Sequence, residues 1–440
     1  MNKMRSYLLP RVKTAQGRMQ LPGSKSISNR ALLLAAMAQG RTELQGVLES
    51  DDTEVMLDSL QRLGVAARRL EPSTYEIVGG WEQLSPQAEL FLRNAGTAMR
   101  SLTAALAWAD GDYQLSGIER MHERPIGDLV SALQAGGAQI KYLGADDYPP
   151  LHIKPASIDA DHVFQVKGNV SSQFLTALLM SAPLVSQKTR RPVQIEVLGR
   201  LISQPYIAIT LAMMADFGVE VEHEDWQRFV VPAQAHYRSP GRYYVEGDAS
   251  SASYFLALGA IGGGPIQIDG VGSSSVQGDV QFAQVVEAMG AQVKFQPQGM
   301  VVQGIEVAQG QRLHAFDLSF DLIPDAAMTA AALAMYADGP CLLRDIGSWR
   351  VKETDRIHAM ETELQRLGAR VESGPDWLRV YPISQGQWQD AEIFTYDDHR
   401  IAMCFSLAAF APVQVKILDP DCVSKTFPHY FSVFEQLVQT

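Results

Sequence analysis

Six polar segments recur at nearly equal intervals along the chain, and each opens a predicted helix of small apolar residues. They begin at Gly23, Asn94, Gly168, Gly247, Ile323 and Tyr396, and successive starts differ by 71, 74, 79, 76 and 73 residues. Repeats of this length predict stacked α/β units rather than a thin solenoid. Because these helices are apolar on nearly all sides, they are predicted to lie buried at the centre of each domain, with strands outside them.

A second feature repeats in step with these helices. Further predicted helices end at a glycine and lead into a strand, at Gly64, Gly137, Gly218, Gly290 and Gly368. A glycine after the last helical turn is the usual left-handed cap. Short predicted strands such as RTELQG, PIQIDG and VQVKILD lie between the two helices. Each unit is therefore predicted to be helix, strand, helix and strand pair.

The sixth unit lacks its final strands, because the chain ends soon after the predicted helix FPHYFSVFEQLVQ. The N-terminal segment YLLPRVKTAQGRMQLPG is predicted to be a strand pair that completes this unit. The first three units then form one domain, 24–245, and the last three form a second domain from 1–23 plus 246–440. Two short crossovers, near Gly23 and Glu246, would allow hinge closure.

Composition constrains the partners and the compartment. The 440 residues carry a formal net charge of −12, so the chain lacks the basic face that nucleic acid or an anionic membrane would need. No apolar run reaches the ~20 residues of a membrane span, and the N-terminus lacks a signal-peptide or transit-peptide pattern. Cys341, Cys404 and Cys422 have no CxxC spacing and are predicted to be reduced, mostly buried thiols. We therefore expect a cytoplasmic protein.

Several buried helices open with polar residues at a predicted free N-terminus, which favours anions. LPGSKSISNR places Lys25 and Arg30 at the first such end, and the alternative is a capped helix with two exposed cations. A Walker A loop is excluded, because no Gly-x-x-x-x-Gly precedes the lysine. NAGTAMR contributes Gly96 and Arg100, and HERPIG contributes Arg124; a structural turn is the alternative for each.

Two further helix starts carry more polar groups than a helix needs. GNVSSQF offers Ser171, Ser172 and Gln173, although one serine would be enough for an N-cap. IPDAAMT places Asp325 before an apolar helix. Without context an N-cap aspartate is the preferred interpretation, and a general base is the alternative. YDDHR lacks the ligand spacing of a metal site, so Arg400 is its candidate functional residue.

WRVKETDR is the densest charge cluster of the chain, with Arg350, Lys352, Glu353, Asp355 and Arg356. A solvated ladder of salt bridges on a helix is the usual explanation of such a pattern. The preceding DIGSW, however, indicates a strand end and a turn. That placement would put the cluster in a loop that enters a cleft.

Taken together, these segments resemble the 5-enolpyruvylshikimate-3-phosphate synthase family, bacterial type, over nearly the whole chain. The resemblance rests on LPGSKSISNRALLLAA, LFLRNAGTAMR, ERPIG, SSQFLTALLM, EGDASSASYF, IPDAAMT, WRVKETDR, DDHRIAM and SKTFP, in family order. It implies an α/β fold of two domains, each of three βαβαββ repeats with buried parallel helices and outer sheets, and an active site in the interdomain cleft. It also implies transfer of the enolpyruvyl group of phosphoenolpyruvate to the 5-hydroxyl of shikimate 3-phosphate, with release of phosphate, in chorismate biosynthesis. No metal and no organic cofactor is implied.

The resemblance assigns roles to individual residues. Asp325 is the expected base for the 5-hydroxyl, and Glu353 or Lys25 is the expected proton donor to C3 of phosphoenolpyruvate. The residues expected to hold phosphoenolpyruvate are Lys25, Gly96, Arg124, Gln173, Arg356, Arg400 and Lys425. The residues expected to hold shikimate 3-phosphate are Lys25, Ser26, Arg30, Ser171, Ser172, Gln173, Ser203, Tyr206, Asp325, Ser348 and Lys352.

Some positions depart from the family pattern. Ser101 stands where proline is usual, and loss of that proline should let Gly96 and Thr97 shift. The resemblance links changes at this position to tolerance of glyphosate, which occupies the phosphoenolpyruvate site, so we expect reduced glyphosate sensitivity. The remaining departures bear on affinity rather than on reaction type: Ser348 replaces a frequent Asn, Gln204 a frequent Lys and Arg93 a frequent Gly.

Two alternatives stay open at the level of sequence. UDP-N-acetylglucosamine enolpyruvyl transferase has the same architecture and co-substrate, but that family normally uses a loop cysteine in its first domain. Here the first 340 residues contain no cysteine. The other alternative is an inactive, anion-binding sensor, which the joint retention of the catalytic set argues against. The chain is expected to act as a monomer.

Overall fold

The computed structural model of the chain describes residues 5–169 and 171–440. The chain divides into two compact units, which we call the first unit (Gly23–Val245) and the second unit (Met1–Pro22 with Glu246–Thr440). The domain predicted from 1–23 plus 246–440 includes residues 1–4, which lie outside the described residues.

The first unit contains three helix–strand–helix–hairpin repeats, preceded in the chain by two strands of the second unit, β1 (Ser6–Leu8) and β2 (Thr14–Gln20). Its elements are α1 (Lys25–Met37), β3 (Arg41–Gln45), α2 (Asp51–Arg62), β4 (Ala66–Glu71), β5 (Thr74–Val78), β6 (Gln87–Phe91), α3 (Gly96–Leu106), β7 (Asp112–Ser116), α4 (Gly127–Ala135), β8 (Gln139–Tyr142), β9 (Leu151–Lys154), β10 (Val163–Lys167), α5 (Ser172–Thr189), β11 (Val193–Leu198), α6 (Gln204–Asp216), β12 (Glu222–Glu224), β13 (Arg228–Val231) and β14 (Arg242–Tyr244).

The second unit repeats this order. Its remaining elements are α7 (Ala249–Ile261), β15 (Gly263–Asp269), α8 (Phe282–Ala288), β16 (Gln292–Gln296), β17 (Gly299–Gln303), β18 (Asp317–Ser319), α9 (Ala327–Leu333), β19 (Cys341–Arg344), α10 (Arg356–Arg366), β20 (Val371–Ser373), β21 (Leu378–Val380), β22 (Ala391–Ile393), α11 (His399–Phe405), β23 (Val415–Leu418), α12 (Tyr430–Leu437) and β24 (Val438–Gln439).

The first helix of each repeat is mostly buried, as the sequence predicts. Every residue of α1 from Ile27 to Met37 is buried, and so is every residue of α7 and of α9. Small side chains allow helices and sheets to approach closely on all sides, and the apolar area that leaves water stabilises each core. The N-terminal ends of these helices carry the polar segments singled out above.

The sheets share one topology. In the sheet of order β6-β7-β9-β8, the strands β6 and β7 are parallel and are connected through helix α3. Strand β9 pairs antiparallel with β7, and it also pairs antiparallel with β8, with which it forms a hairpin. The other sheets of the described chain repeat it as β14-β3-β5-β4, β10-β11-β13-β12, β18-β19-β21-β20, β24-β2-β15-β17-β16 and the shorter β22-β23-β1. This mixed α/β arrangement confirms the predicted fold class.

The N-terminal strands correct one prediction. β1 pairs antiparallel with β23 and so extends the sheet of the sixth repeat, but β2 pairs parallel with β15 of the fourth repeat. The expectation that both strands complete the sixth repeat is therefore wrong for β2. The reason is an exchange of strands: β14, which precedes α7 in the chain, pairs with β3 instead, and β2 takes the parallel position next to β15.

The predicted glycine caps are confirmed. Gly64, Gly137, Gly218, Gly290 and Gly368 all adopt positive φ, between +84° and +105°, two residues after their helices end. This left-handed conformation is accessible to glycine without the steric penalty of a Cβ atom.

Membrane spans and metal clusters are absent from the described part of the chain. No described helix combines the length and the apolar character that a bilayer-spanning segment needs. Within residues 5–169 and 171–440, no group of three His, Cys, Asp or Glu side chains is placed to hold a metal ion. The three cysteines are buried and free.

Candidate active site

Arg30 is buried and connects three helices of the first unit through its hydrogen bonds. The interpretation of this residue as an exposed cation is therefore wrong. Its Nε donates to Thr210 Oγ1 at 3.0 Å, one Nη donates to the Ser26 carbonyl at 3.0 Å, and the other contacts Thr176 Oγ1 and the Tyr206 carbonyl. Burial lowers the pKa of Arg30 to about 10. Three residues predicted for shikimate 3-phosphate, Ser26, Arg30 and Tyr206, are thereby brought together.

Lys25 is the first residue of α1 and is mostly buried. Its Nζ lies 3.8 Å from Oδ2 of Asp52 in the first turn of α2, with 12% and 6% of the two side chains exposed. Ser24, the N-cap of α1, does not cap a described N–H with its side chain. A helix start beside a lysine is a favourable place for an anion, because the helix dipole and the ammonium group are both positive there.

Gly96 and Arg124 lie in direct contact. A Cβ atom on Gly96 would come within 2.4 Å of an Arg124 Nη atom, so only glycine lets the guanidinium pack against the start of α3. Arg124 is 3% exposed and donates to both the carbonyl and the Oδ1 of Asn94 at 3.0 Å. Arg100 supports the same loop by donating to the Pro125 carbonyl at 2.7 Å.

Only one of the serines predicted to bind substrate caps a helix with its side chain. Ser171 is the N-cap of α5, and its Oγ accepts a hydrogen bond from the Gln173 N–H at 3.3 Å. Ser172 and Gln173 are half-buried in the first turn. Ser203, the N-cap of α6, adopts a left-handed conformation with φ of +56°. One serine therefore caps its helix, as expected, and the neighbouring polar groups are not needed for that purpose.

In the second unit, Arg356 contacts three carboxylates at once. Its Nε donates to Asp398 Oδ2 at 2.7 Å, one Nη to Asp325 Oδ1 at 3.0 Å, and the other to Glu353 Oε2 at 2.9 Å. Only 1% of its side chain is exposed. Although burial alone would lower the pKa of Arg356, the three carboxylates raise it above its usual value, so the guanidinium stays charged.

Asp325 is surrounded by cations and does not cap a helix. The N-cap of α9 is Ala326, so the preferred interpretation as an N-cap aspartate is wrong. Arg400 donates to Oδ2 at 3.1 Å, and the Lys352 Nζ lies 3.6 Å from Oδ1. Burial would raise the pKa of Asp325, but Arg400, Lys352 and Arg356 outweigh it and hold the pKa well below its usual range.

Glu353 lies between two cations. In addition to its contact with Arg356, its Oε1 is 3.5 Å from Nζ of Lys425, which is 7% exposed. Glu353 itself is 8% exposed. This part of the second unit therefore combines four cations with three carboxylates within a chain of net charge −12.

The WRVKETDR segment is not a solvated helical ladder. Residues Gly347–Val351 form one 3-10 turn that includes the half-buried Ser348, Lys352 is extended, and α10 begins only at Arg356, capped by Asp355. Trp349 is fully buried and donates from Nε1 to the Pro324 carbonyl at 2.7 Å. This hydrogen bond joins the segment to the loop that carries Asp325.

Sequence reasoning missed three supporting residues. Asp398 caps α11 by accepting from the Arg400 N–H at 3.0 Å and also holds Arg356. Tyr254 contacts Arg400 at 3.2 Å, and Asp52 pairs with Lys25. A signal existed only for Asp398, because an aspartate two residues before an arginine at a helix start is the pattern of an N-cap.

The departures from the family pattern have distinct surroundings. The Ser101 hydroxyl donates to the Thr97 carbonyl at 2.8 Å inside α3. Arg93 has a positive φ of +46°, and its guanidinium lies 3.8 Å from Asp51 with half of each side chain exposed. Gln204 is the first residue of α6.

Comparison with known sequences gives one consistent result. The sequence profile of EPSP synthase (3-phosphoshikimate 1-carboxyvinyltransferase) matches residues 10–434. The chain is 61% identical to the 3-phosphoshikimate 1-carboxyvinyltransferase of Bordetella petrii, across 98% of this chain and 96% of that protein. It is 58% identical to the protein of the same name from Cupriavidus necator, across 96% of both chains.

Solved structures share the fold at low sequence identity. An EPSP synthase from Acinetobacter baumannii matches with a TM-score of 0.79 and 24% identity, across 100% of this chain and 99% of that one. The enolpyruvyl transferase NikO from Streptomyces tendae matches with a TM-score of 0.74 and 16% identity, across 99% and 98%. At these identities the likeness concerns the fold, and it agrees with the predicted α/β fold class.

Proposed function

The chain belongs to the EPSP synthase family, and we propose that it transfers the enolpyruvyl group of phosphoenolpyruvate to the 5-hydroxyl of shikimate 3-phosphate. This is the 3-phosphoshikimate 1-carboxyvinyltransferase reaction of chorismate and aromatic amino acid biosynthesis. The observation that carries the chemistry is the placement of Asp325 and Glu353 among Arg356, Arg400, Lys352 and Lys425.

Both substrates are multiply charged anions, so their binding requires cations that the protein has already desolvated. Lys25, Arg124 and the Gly96 backbone of the first unit provide such groups for phosphoenolpyruvate, together with Gln173. From the second unit, Arg356, Arg400 and Lys425 complete the set. The residues proposed for shikimate 3-phosphate are Lys25, Ser26, Arg30, Ser171, Ser172, Gln173, Ser203, Tyr206, Asp325, Ser348 and Lys352.

Asp325 is proposed as the base that takes the proton of the 5-hydroxyl. In the free protein its three cations hold its pKa well below the usual range, which makes it a weak base. When substrate phosphate and carboxylate groups bind the same cations, the positive charge is shared, and the pKa of Asp325 rises toward a useful value. The Asp325 carboxylate would thus become an effective base only when both substrates are bound.

Glu353 is proposed as the proton donor to C3 of phosphoenolpyruvate, with Lys25 as the alternative. Its two oxygens contact Arg356 and Lys425, both assigned to phosphoenolpyruvate, so its carboxyl group lies next to that substrate. Such a position suits a residue that first donates a proton and later takes one back.

The proposed reaction is an addition followed by an elimination. The 5-oxygen forms a bond to C2 as its proton passes to Asp325, while C3 gains a proton and becomes a methyl group. The C2–O bond to phosphate then breaks, C3 loses a proton, and the C2–C3 double bond is restored. The products are the enolpyruvyl ether and inorganic phosphate, and no redox step or cofactor is required.

Three further properties belong to the same proposal. Residues of both units must act on one pair of substrates, so the units are proposed to close around them through the crossovers near Gly23 and Glu246. The enzyme is proposed to act as a cytoplasmic monomer. Glyphosate is proposed to bind at the phosphoenolpyruvate site, with reduced affinity because of Ser101.

The test is phosphate release from the purified chain with phosphoenolpyruvate and either shikimate 3-phosphate or UDP-N-acetylglucosamine as acceptor. Release with shikimate 3-phosphate alone is the expected result. Release with the nucleotide sugar alone would assign the chain to the other transferase activity. An absence of release with both acceptors, combined with binding of either anion, would favour a sensor.

A further inference from the structure

Glu363 in α10 is a fully buried carboxylate that the proposed catalytic steps do not use. None of its side chain is exposed. Its Oε2 accepts from the Phe394 N–H at 3.1 Å, and its Oε1 accepts from the Tyr396 hydroxyl at 2.7 Å and from Arg366 Nε at 3.2 Å. Burial raises the pKa of Glu363, and these hydrogen bonds oppose that change. Two of these partners belong to one loop, so the carboxylate fastens that loop to α10.

The loop fastened in this way, which we call the 394–398 loop, connects β22 with α11. Tyr396 and Asp397 adopt left-handed conformations one after the other, with φ of +55° and +54°. Residues with a Cβ atom rarely adopt this region, and a bulky side chain such as tyrosine does so least readily. Contacts outside the loop must therefore hold it in this conformation, and Glu363 supplies two of them, at Phe394 and at Tyr396.

The 394–398 loop ends in groups on which the candidate active site depends. Asp398, its last residue, pairs with Arg356 and caps α11 through the Arg400 N–H. The Arg400 guanidinium in turn donates to Asp325 at 3.1 Å. A change in the path of the loop would therefore move Arg400, which is proposed to hold phosphoenolpyruvate.

Helix α10 holds this loop at two points. Arg356 and Glu363 are close to two helical turns apart, so both project from the same side of α10, with roughly 10 Å between them along the helix axis. Arg356 contacts the end of the loop at Asp398, and Glu363 contacts its beginning. The helix that presents Arg356 to the candidate active site thus also fixes the loop that leads to Arg400.

We propose that Glu363 is a positioning residue for the phosphoenolpyruvate site, an inference that rests on the proposed function. Its carboxylate holds Tyr396 in the left-handed conformation, which sets the direction in which the chain enters α11. That direction determines where the Arg400 guanidinium lies relative to Asp325. Glu363 does not contact substrate itself, because its side chain is fully buried.

Steady-state kinetics of two variants at this position test the proposal. Glu363→Leu removes both acceptor oxygens, so KM for phosphoenolpyruvate should rise at least about 5-fold while KM for shikimate 3-phosphate changes less than about 2-fold. Glu363→Gln keeps an acceptor for the Phe394 N–H and an amide group that can donate to the Tyr396 oxygen. It should therefore keep KM for phosphoenolpyruvate within about 2-fold of the unmodified chain. Unchanged KM values in Glu363→Leu would indicate a purely structural role and overturn the proposal.

Tyr396→Phe tests the same contact from the side of the loop. It removes only the hydroxyl of a partly exposed side chain, so the fold should stay intact even if Glu363→Leu does not fold. KM for phosphoenolpyruvate should rise at least about 3-fold. Hydrogen–deuterium exchange followed by mass spectrometry measures the loop directly, and the amides of residues 394–398 should exchange at least about 3-fold faster in this variant. Unchanged exchange together with an unchanged KM in Tyr396→Phe would overturn the proposal.

Glu361→Leu is the matched control, since Glu361 lies on the same helix but accepts from Ser373 Oγ at 2.7 Å instead of from the 394–398 loop. It should leave both KM values and the exchange of the loop unchanged. An effect equal to that of Glu363→Leu would assign the change to α10 as a whole and reject the role of Glu363. Failure of the proposed function would appear differently, as an absence of phosphate release from the unmodified chain, and the exchange measurement tests the loop in either case.

Discussion

Arg356 and Asp398 form an ion pair across 42 residues of sequence, with 2.7 Å between Nε and Oδ2 and at most 1% of either side chain exposed. The same carboxylate caps α11 through the Arg400 N–H. One aspartate therefore orients two arginines, and both of these contact Asp325. Because Asp398 has no exposed surface, its role is to position these groups rather than to bind substrate.

Asp398→Asn should destabilise the protein by about 3 kcal/mol, because it leaves a buried guanidinium with one charge partner fewer. Asparagine can still cap α11, so the helix start is retained. Urea unfolding measures the loss. Asp355→Asn is the matched control, since Asp355 also caps a helix but its ion pair with Arg350 is more than a third exposed, and it should cost less than about 1 kcal/mol. Equal losses would contradict the assigned role of Asp398.

Gly96→Ala should displace the Arg124 guanidinium, because the new Cβ would lie within 2.4 Å of it. We expect KM for phosphoenolpyruvate to rise about 10-fold, a loss of ~1.4 kcal/mol in binding, while KM for shikimate 3-phosphate changes less than about 2-fold. Steady-state kinetics with each substrate varied separately measure this split. Gly80→Ala, at a glycine with open space around it, should leave both constants unchanged.

Ser101→Pro should increase glyphosate sensitivity. The present side chain donates to the Thr97 carbonyl at 2.8 Å, and proline would remove that bond together with the Ser101 N–H. The start of α3, with Gly96 and Thr97, would then shift toward the family arrangement. We expect the glyphosate inhibition constant to fall about 10-fold, or ~1.4 kcal/mol. Ser101→Ala, which removes only the hydroxyl, is the control, and an inhibition constant in Ser101→Pro equal to that of the unmodified enzyme would disprove the link.

Asp279→Asn should change how stability depends on pH. Burial, with a further contribution from Asp325, raises the pKa of Asp279 to about 6. A carboxyl whose pKa is higher in the folded state favours folding when protonated, so stability falls as pH rises from about 4 to about 6. Asparagine keeps a neutral group beside Ser250, and it should stabilise the protein by roughly 1–3 kcal/mol at pH 7 but not at pH 4.

Urea unfolding of both proteins at the two pH values measures this difference. Asp58→Asn, on the exposed face of α2 where Asp58 pairs with Arg62, provides the comparison and should differ from the unmodified chain by less than about 0.5 kcal/mol. A stabilisation by Asp279→Asn that is the same at pH 4 and at pH 7 would contradict the raised pKa.

Local patterns predicted the fold well, because each repeat carries its own signals. The buried helices and the glycines that end their partners, such as Gly64 and Gly368, depend on residues within a few turns of one another. The pairing partner of β2 could not be predicted from such local patterns. Its partner β15 begins more than 240 residues later, and the alternative partner β23 offers a similar apolar strand.

In the candidate site, too, local features could be predicted from the sequence and long-range contacts could not. Cations at helix starts, such as Lys25 and Arg400, were visible as polar residues before apolar helices. Asp325 was misread as a cap, because the cations around it come from segments that lie 27 to 75 residues further along the chain. The position of Asp398 next to Arg356 is likewise a tertiary contact, so the sequence alone showed only an aspartate near a helix start.

Glu353→Gln should separate the two candidate proton donors. If Glu353 protonates C3, glutamine removes the transferable proton while keeping the size of the group, and kcat should fall about 100- to 10,000-fold with little change in substrate binding. Lys25→Met should act mainly through affinity, because Lys25 lies with Asp52 at a helix start that is proposed to hold an anion. The decisive measurement is deuterium incorporation at C3 from heavy water, followed by NMR of the product. Incorporation should disappear in Glu353→Gln and persist in Lys25→Met at saturating substrate. The reverse pattern would assign the proton transfer to Lys25 and leave Glu353 to orient Arg356 and Lys425.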